Sequence, residues 1–292
     1  MNSVNQLYAP KALGIRQEDR LCENHGPYIA KGLPPYTAER WTPCPECQDE
    51  QERAEAQAEK SSRQARLFES QLKAAGLDRR FLDKSFDNYV PRSGAQRKIL
   101  EIVQAYVAEF PQNLEAGRCL GLLGQVGNGK THLGVAVLRE VILQDYSAKY
   151  VRAYDLYKAI KESWNSVGDK RSESETTREF TGPDLLVLDE VGVQFFTQAE
   201  ETLMFQVIDS RYGQQKPTVI ISNLGMPDKD KQREELADGD RRARQHRDVE
   251  DALGYRAYDR LTENGGLILE FRGPSFRNQD AGSGSGLEQA WQ

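Results

Sequence analysis

The densest chemical pattern in the chain is Gly124-Gln125-Val126-Gly127-Asn128-Gly129-Lys130-Thr131. It meets every fixed position of G-x-x-x-x-G-K-[ST]. Glycines let the backbone curl so that successive N–H groups point at phosphate oxygens. Lys130 then reaches the β- and γ-phosphates of ATP, and the Thr131 hydroxyl ligates Mg²⁺. A helix that starts at this loop aims its positive end at the same anions. Such a loop needs acidic groups at the end of a neighbouring strand, and Leu185-Leu186-Val187-Leu188-Asp189-Glu190 offers them. Asp189 would hold Mg²⁺ through its water shell, and Glu190 would act as general base on the attacking water. The Asp-Glu pair points to hydrolysis rather than phosphoryl transfer to a small metabolite. No N-K-x-D guanine motif is found. Asn223, directly after the apolar run TVIIS, could hold the lytic water; its plainer role is a strand-end turn residue.

A second constellation lies near the amino terminus. Cys22-x-x-His25 and Cys44-x-x-Cys47 are two chelating pairs eighteen residues apart. Each can bite one ion from a tight turn, and the four ligands suit tetrahedral Zn²⁺. With no further ligand evident, the site reads as structural. A segment with so few aliphatic residues needs such a staple to fold; the alternative is four unconnected residues in a disordered arm. Cys119 reads as a small buried thiol. His132 and His246 have no partner evident in the sequence.

The elements that must position these groups follow from composition and periodicity. The chain has 292 residues, a formal net charge of −6, and 38% hydrophobic and 29% charged residues. No apolar run approaches the roughly 20 residues that span a bilayer, and the first residues lack a secretory stretch. The expectation is a soluble cytoplasmic protein that does not associate with membranes. The acidic balance argues against an overall nucleic-acid-binding coat. We expect a small zinc-binding module over 1–48, a connecting helix over 49–80, an α/β ATPase domain over 81–277 and a disordered Gly/Ser-rich tail over 278–292. Within the third region, Ile99, Val103, Tyr106, Val107 and Phe110 recur at helical spacing. Strands are expected at Cys119–Leu123, Lys149–Val151, Leu185–Leu188, Thr218–Ser222 and Leu267–Phe271, and helices at Thr131–Gln144, Asp155–Trp164 and Gln198–Tyr212. Fully apolar strands such as LLVL fit a parallel sheet covered by helices on both faces.

Together these residues resemble the AAA+ ATPases of the helicase-loader branch: bacterial DnaC-type loaders, their phage-encoded relatives and the IstB transposition helpers. The resemblance covers roughly Phe86 to Arg277. It is carried by DLLVLDEVGVQ (184–194), IDSRY (208–212), KPTVIISNL (216–224), GYRAYDRL (254–261) and GPSFR (273–277). The layout CxxHG…WxxCPxC is similar to the zinc segment of phage-type DnaC-like replication proteins. The resemblance implies an AAA+ sheet flanked by helices, side-by-side self-association with ATP between neighbours, Asn223 as sensor 1, and Arg260 as an arginine finger, with Arg256 one turn earlier. Without the resemblance, Arg260 reads as a helix arginine pairing with Asp259 or Glu263. Phe86 and Tyr89 lie in a plausible adenine-contacting stretch.

The implied function is ATP-dependent loading of a hexameric DnaB-type replicative helicase onto single-stranded DNA. The amino-terminal region would grip the helicase, and hydrolysis would release the loader. The alternatives are an IstB-like transposition helper and a zinc-bearing DNA-binding adaptor that uses nucleotide only as a switch; a metabolite kinase is disfavoured by the Asp-Glu pair. One departure from the family is the charged stretch Pro227–Asp251. It reads as a solvated insertion of mixed sign or as a DNA path lined by Arg241, Arg242, Arg244 and Arg247.

Overall fold

The computed structural model describes residues 17–32, 41–164, 172–193, 198–227 and 248–272. The chain divides into two compact units, Met1–Leu67 and Phe68–Gln292. The tail 278–292, the arginines of the charged stretch, His246 and the GPSFR segment lie outside the described residues.

In the first unit, β1 (Gln17–Cys22) and β2 (Gly26–Lys31) form an antiparallel hairpin, paired from Gln17↔Lys31 to Cys22↔Gly26. Little periodicity marks this hairpin in the sequence. The reason is that both faces carry polar residues, and Leu21 and Ile29 are exposed. Helix α1 (Pro45–Ala74) opens on a proline, whose missing N–H costs nothing at a helix start. Residues 48–67 are exposed all round. Strong helix formers and pairs one turn apart, such as Gln48–Glu52 at 2.9 Å and Gln51–Glu55 at 2.8 Å, support the helix there.

The second unit is built on a parallel sheet. Its strands are β3 (Leu120–Gly124), β4 (Ala148–Arg152), β5 (Leu185–Val191), β6 (Thr218–Ser222) and β7 (Leu267–Phe271), in the order β4-β5-β6-β3-β7. Side chains alternate faces along each strand. Leu185, Val187, Leu120 and Leu122 join one core cluster with α2 (Gly94–Ala108) and α4 (Lys130–Leu143). Leu186, Leu188 and Leu123 join the other. That face is covered by α5 (Ala153–Trp164), α6 (Glu173–Thr181), α7 (Gln198–Gly213), α8 (Val249–Leu253) and α9 (Tyr255–Thr262). A short helix, α3 (Phe110–Glu115), follows α2.

The five expected strands are present; β3 is shifted by one residue, β4 gains one residue at each end, and β5 runs on to Val191. Helix α6 was not anticipated, although Ser172-x-x-Glu175 forms a capping box that marks its start. Among the described residues no helix is long and apolar enough to cross a membrane.

One expectation is corrected. The acidic residues were placed on the strand next to the phosphate loop, but β6 lies between β3 and β5. The three central strands β3, β5 and β6 are buried and read alike as apolar runs, so the pattern holds no information about their lateral order.

Candidate nucleotide site and metal cluster

All five strands run in the same direction, so Gly124, Asn223 and the Asp189-Glu190 pair meet at one edge of the sheet. In open α/β sheets the carboxyl-terminal edge is where ligands bind. Between β3 and α4 the backbone curls through three glycines with positive φ: Gly124 (122°), Gly127 (87°) and Gly129 (88°). A Cβ at Gly124 would lie 2.3 Å from the Phe271 carbonyl oxygen, and one at Gly129 would lie 2.8 Å from the Tyr89 ring. Only glycine fits at either place. Lys130 begins α4, is buried, and donates to the Gln125 carbonyl at 2.6 Å, which closes the loop across its own span. Thr131 follows on the first helical turn.

A short relay fixes three strand ends together. Ser222 Oγ donates to the Val191 carbonyl at 2.6 Å and accepts the Leu224 N–H at 3.1 Å, while Gly124 N–H donates to the Leu224 carbonyl at 3.0 Å. The exposed side chain of Asn223 sits inside this relay, just past the end of β6, the strand between β3 and β5.

The acidic pair is split by a bulge. Leu188 pairs with Ile220 but Val191 pairs with Ser222, so β5 carries an extra residue there. Glu190 adopts φ 59° and is exposed, whereas Asp189 is 4% exposed. A bulge re-aims side chains, and a non-glycine residue with positive φ at a strand end is a feature of functional sites. Asp189 accepts the Glu190 N–H on Oδ1 and the Tyr150 hydroxyl on Oδ2, both at 2.7 Å. Tyr150 carries no sequence motif, and the sequence reading missed it.

Next to the loop, Tyr89 and His132 pack edge to face with ring centroids 5.2 Å apart. The partner that the sequence did not reveal for His132 is the Ser85 carbonyl, 2.8 Å from Nε2. Burial pushes the His132 pKa down, which favours the neutral ring. Burial also raises the Tyr89 phenol to about 12. Cys119 is buried and accepts the Thr218 N–H at 3.3 Å, as expected of a small interior thiol.

Arg260, on α9, lies over the Tyr212 ring at 4.3 Å, with Nε 3.4 Å from Asp209 and Nη1 3.3 Å from Glu263. The plainer sequence reading named Glu263 correctly; the second carboxylate is Asp209, on α7, rather than Asp259. Arg256 is exposed one turn earlier. Arg211, in the IDSRY segment, is wholly buried. Its guanidinium donates to Thr218 Oγ1 and to the carbonyls of Phe180, Pro183, Asp184 and Pro217. Burial lowers its pKa to about 10, which still leaves it charged near neutrality.

In the first unit, Cys22, His25, Cys44 and Cys47 bring their ligand atoms within 4.8 Å of one another. Cys22 and Cys47 sulfurs are 3.5 Å apart, and His25 Nδ1 is 3.8, 3.9 and 3.3 Å from the sulfurs of Cys22, Cys44 and Cys47. Zn–S of about 2.3 Å and Zn–N of about 2.0 Å in a tetrahedron imply S···S near ~3.8 Å and S···N near ~3.5 Å. The Cys₃His group therefore has the size and donor set that could hold zinc. The hairpin turn supplies Cys22 and His25, and the first turn of α1 supplies Cys47. Backbone N–H groups of Asn24 and His25 lower the Cys22 thiol to about 6, while hydrogen bonding to Cys22 raises Cys47 to about 11. The second ring nitrogen of His25, Nε2, is 3.2 Å from Glu50 and 3.8 Å from Glu46. A carboxylate on the far nitrogen fixes the tautomer that turns Nδ1 toward a metal.

Comparison with known proteins gives a consistent picture. A match to the family described as IstB-like ATP binding protein spans residues 53–239. The replicative helicase loader DnaC of Escherichia coli (strain K12) is 28% identical over 198 residues, covering 68% of this chain and 71% of that protein. DnaC of Buchnera aphidicola subsp. Acyrthosiphon pisum (strain APS) is 27% identical over 212 residues, 73% of this chain and 76% of that one. The uncharacterized protein YdaV of Escherichia coli (strain K12) is 26% identical over 218 residues, 75% and 77% of the two chains. A crystal structure of the DnaC helicase loader aligns with TM-score 0.54 at 23% identity, covering 67% of this chain and 100% of that one. At that identity the likeness establishes the fold, an AAA+ type of α/β domain on a five-stranded parallel sheet.

Proposed function

The chain belongs to the IstB-like ATP-binding family, and on that premise we propose that it is an ATP-hydrolysing loader of a hexameric replicative helicase. The observation that carries this reading is the similarity to curated DnaC loaders over 68% of the chain, in a protein that keeps the whole phosphate loop and the Asp189-Glu190 pair. Residues 124–131 hold the triphosphate. Thr131 and Asp189 hold Mg²⁺. Glu190 activates water, and Asn223 positions it. Three features support that division of labour: the curled loop, the bulge that exposes Glu190 while burying Asp189, and the place of Asn223 directly after the intervening strand.

Copies of the chain assemble through the ATPase domain (81–277) on single-stranded DNA. Arg260 leaves its Asp209 and Glu263 partners to reach the nucleotide of a neighbour as arginine finger. The module 1–48 carries one Zn²⁺ on Cys22, His25, Cys44 and Cys47. With the connecting helix (49–80) it engages the helicase, and 278–292 is a tail without a catalytic part. The protein works in the cytoplasm. The geometry of the Cys₃His group and the Glu50 contact support the zinc assignment.

A transposition helper is the second reading, favoured by the family description itself. Co-expression with the host's replicative helicase separates the two. A loader forms a stoichiometric complex that co-elutes and that requires residues 1–75. A protein that ignores the helicase and binds duplex DNA with ATP is a transposition helper. Lys130→Ala should abolish ATP binding in either case, and affinity within about twofold of the parent, a change of only ~0.4 kcal/mol, would remove the phosphate loop from the account.

A further inference from the structure

We propose that Tyr150 is a positioning residue for the magnesium-holding carboxylate Asp189, and that it ties that carboxylate to the carboxyl-terminal end of α1. The inference rests on the assignment of Mg²⁺ to Asp189.

Tyr150 stands on β4, the edge strand next to β5. Its register partner is Val187, so Asp189 lies diagonally across on the same face, within reach of a long side chain. The phenol donates to Asp189 Oδ2 at 2.7 Å, and Oδ1 is held by the Glu190 N–H at the same distance. With each oxygen taking one hydrogen bond, the remaining lone pairs point in fixed directions. A carboxylate that holds an ion's water shell depends on its orientation in the same way that a direct ligand does, and loses grip when the partner that orients it is removed. No other side-chain donor to Asp189 is found among the described residues.

The backbone of the same tyrosine is held from the other side. Tyr150 N–H donates to the Ala75 carbonyl at 2.7 Å, just past the end of α1. Gly76 follows with φ 94°, and a Cβ there would lie 2.6 Å from the Tyr150 carbonyl oxygen. Leu72, Ala75 and Leu77 are buried in the same apolar cluster as Tyr150. Two hydrogen bonds through one residue thus join the last turn of α1 to Asp189. A shift of the helix end displaces the carboxylate, and by linkage metal binding at the carboxylate biases the helix end.

The test uses the full chain and Mg²⁺ as the probe. ATP hydrolysis is titrated with Mg²⁺ for the parent, Tyr150→Phe, Asp189→Asn and the double variant. Tyr150→Phe keeps the ring and removes the donor. It should raise the half-saturating Mg²⁺ about tenfold, the lower end of outer-shell losses, while ATP affinity in EDTA stays that of the parent. In the double variant the tyrosine change should add nothing further. Gly76→Ala, which presses on the Tyr150 carbonyl, should shift the Mg²⁺ dependence in the same direction. In the parent, Mg·ATP should slow amide exchange at Tyr150 and over residues 71–77, and Tyr150→Phe should abolish that response. If Asp189→Asn leaves the Mg²⁺ dependence unchanged, the assignment of the metal to Asp189 fails and the proposal falls with it. If Asp189→Asn shifts it and Tyr150→Phe does not, the positioning role alone is overturned. If Tyr150→Phe shifts it but Gly76→Ala and the exchange pattern do not respond, the link to α1 is overturned.

Discussion

Between Gln17 and Leu67 the described apolar side chains that are buried are Ala30 and Cys44; between Phe68 and Arg272 they fill two continuous clusters, one on each face of the sheet. The first unit leaves Leu21 and Ile29 in solvent and gathers its ligand atoms within 4.8 Å. The second buries whole strands and closes its phosphate loop with the Lys130 side chain on the Gln125 carbonyl. A hairpin and one helical turn cannot remove enough apolar surface from water to offset chain entropy. On the proposed zinc assignment, ligation by Cys22, His25, Cys44 and Cys47 supplies what burial does not. The second unit has two apolar clusters to stabilise it, and its bulge holds Glu190 at a positive φ that a non-glycine residue adopts at a cost.

The sharpest way to break this contrast is to take the metal away. Exhaustive chelation, or Cys44→Ser, should unfold the hairpin, since structural zinc sites contribute about 10–16 kcal/mol of apparent binding energy. Amide exchange over residues 17–31 should rise to the unprotected rate, while the thermal transition of the second unit stays in place. Elemental analysis of the parent should give about one zinc per chain, the stoichiometry of a four-ligand tetrahedral site. A hairpin still protected without metal would show that burial suffices after all.

The next largest effect belongs to Glu190→Gln. Turnover should fall by about 10²–10⁴, the usual contribution of a positioned general base, with ATP still bound and zinc content unaltered. Single-turnover hydrolysis near the parent rate would remove Glu190 as base. Arg211→Met strikes the second unit's packing instead. Several buried carbonyls would lose a charged donor, each at a cost of about 1–3 kcal/mol. The urea midpoint of the second unit should therefore drop by an amount equivalent to about 3 kcal/mol or more, while exchange in the hairpin is unchanged. The smallest effect sharpens the first unit: Glu50→Gln should weaken zinc retention about tenfold by removing the partner of His25 Nε2. Competition with a chromophoric chelator measures it.

Sequence legibility also differed between the two units. The phosphate loop, the apolar strands and the metal ligands are written as local spacing, and local spacing can be read. The lateral order of the strands could not be, because every buried parallel strand carries the same apolar signature. The bulge at Glu190 was hidden for a related reason: an extra residue on β5 shows only against its register with β6. Tyr150 and Arg211 act through contacts 39 and up to 31 residues away in sequence, and no local motif announces either. The GPSFR segment and the charged stretch beyond Pro227 carry family or charge signals, but those signals say nothing of the surfaces they meet. His25 stands out in the sequence as a candidate ligand, while its Glu50 partner is hidden in a helix already full of acidic residues.

The Ala75 carbonyl on Tyr150 has one more effect. β4 is an outermost strand, and an open strand margin invites pairing with another molecule. The turn after α1 occupies that margin at its centre, next to a backbone position that tolerates no side chain at Gly76. A version of the protein trimmed to begin after Gly76 would keep its nucleotide loop, lose Leu72 and Ala75 from one apolar cluster, and present a bare sheet margin to its neighbours. Its first failing would be clumping in solution.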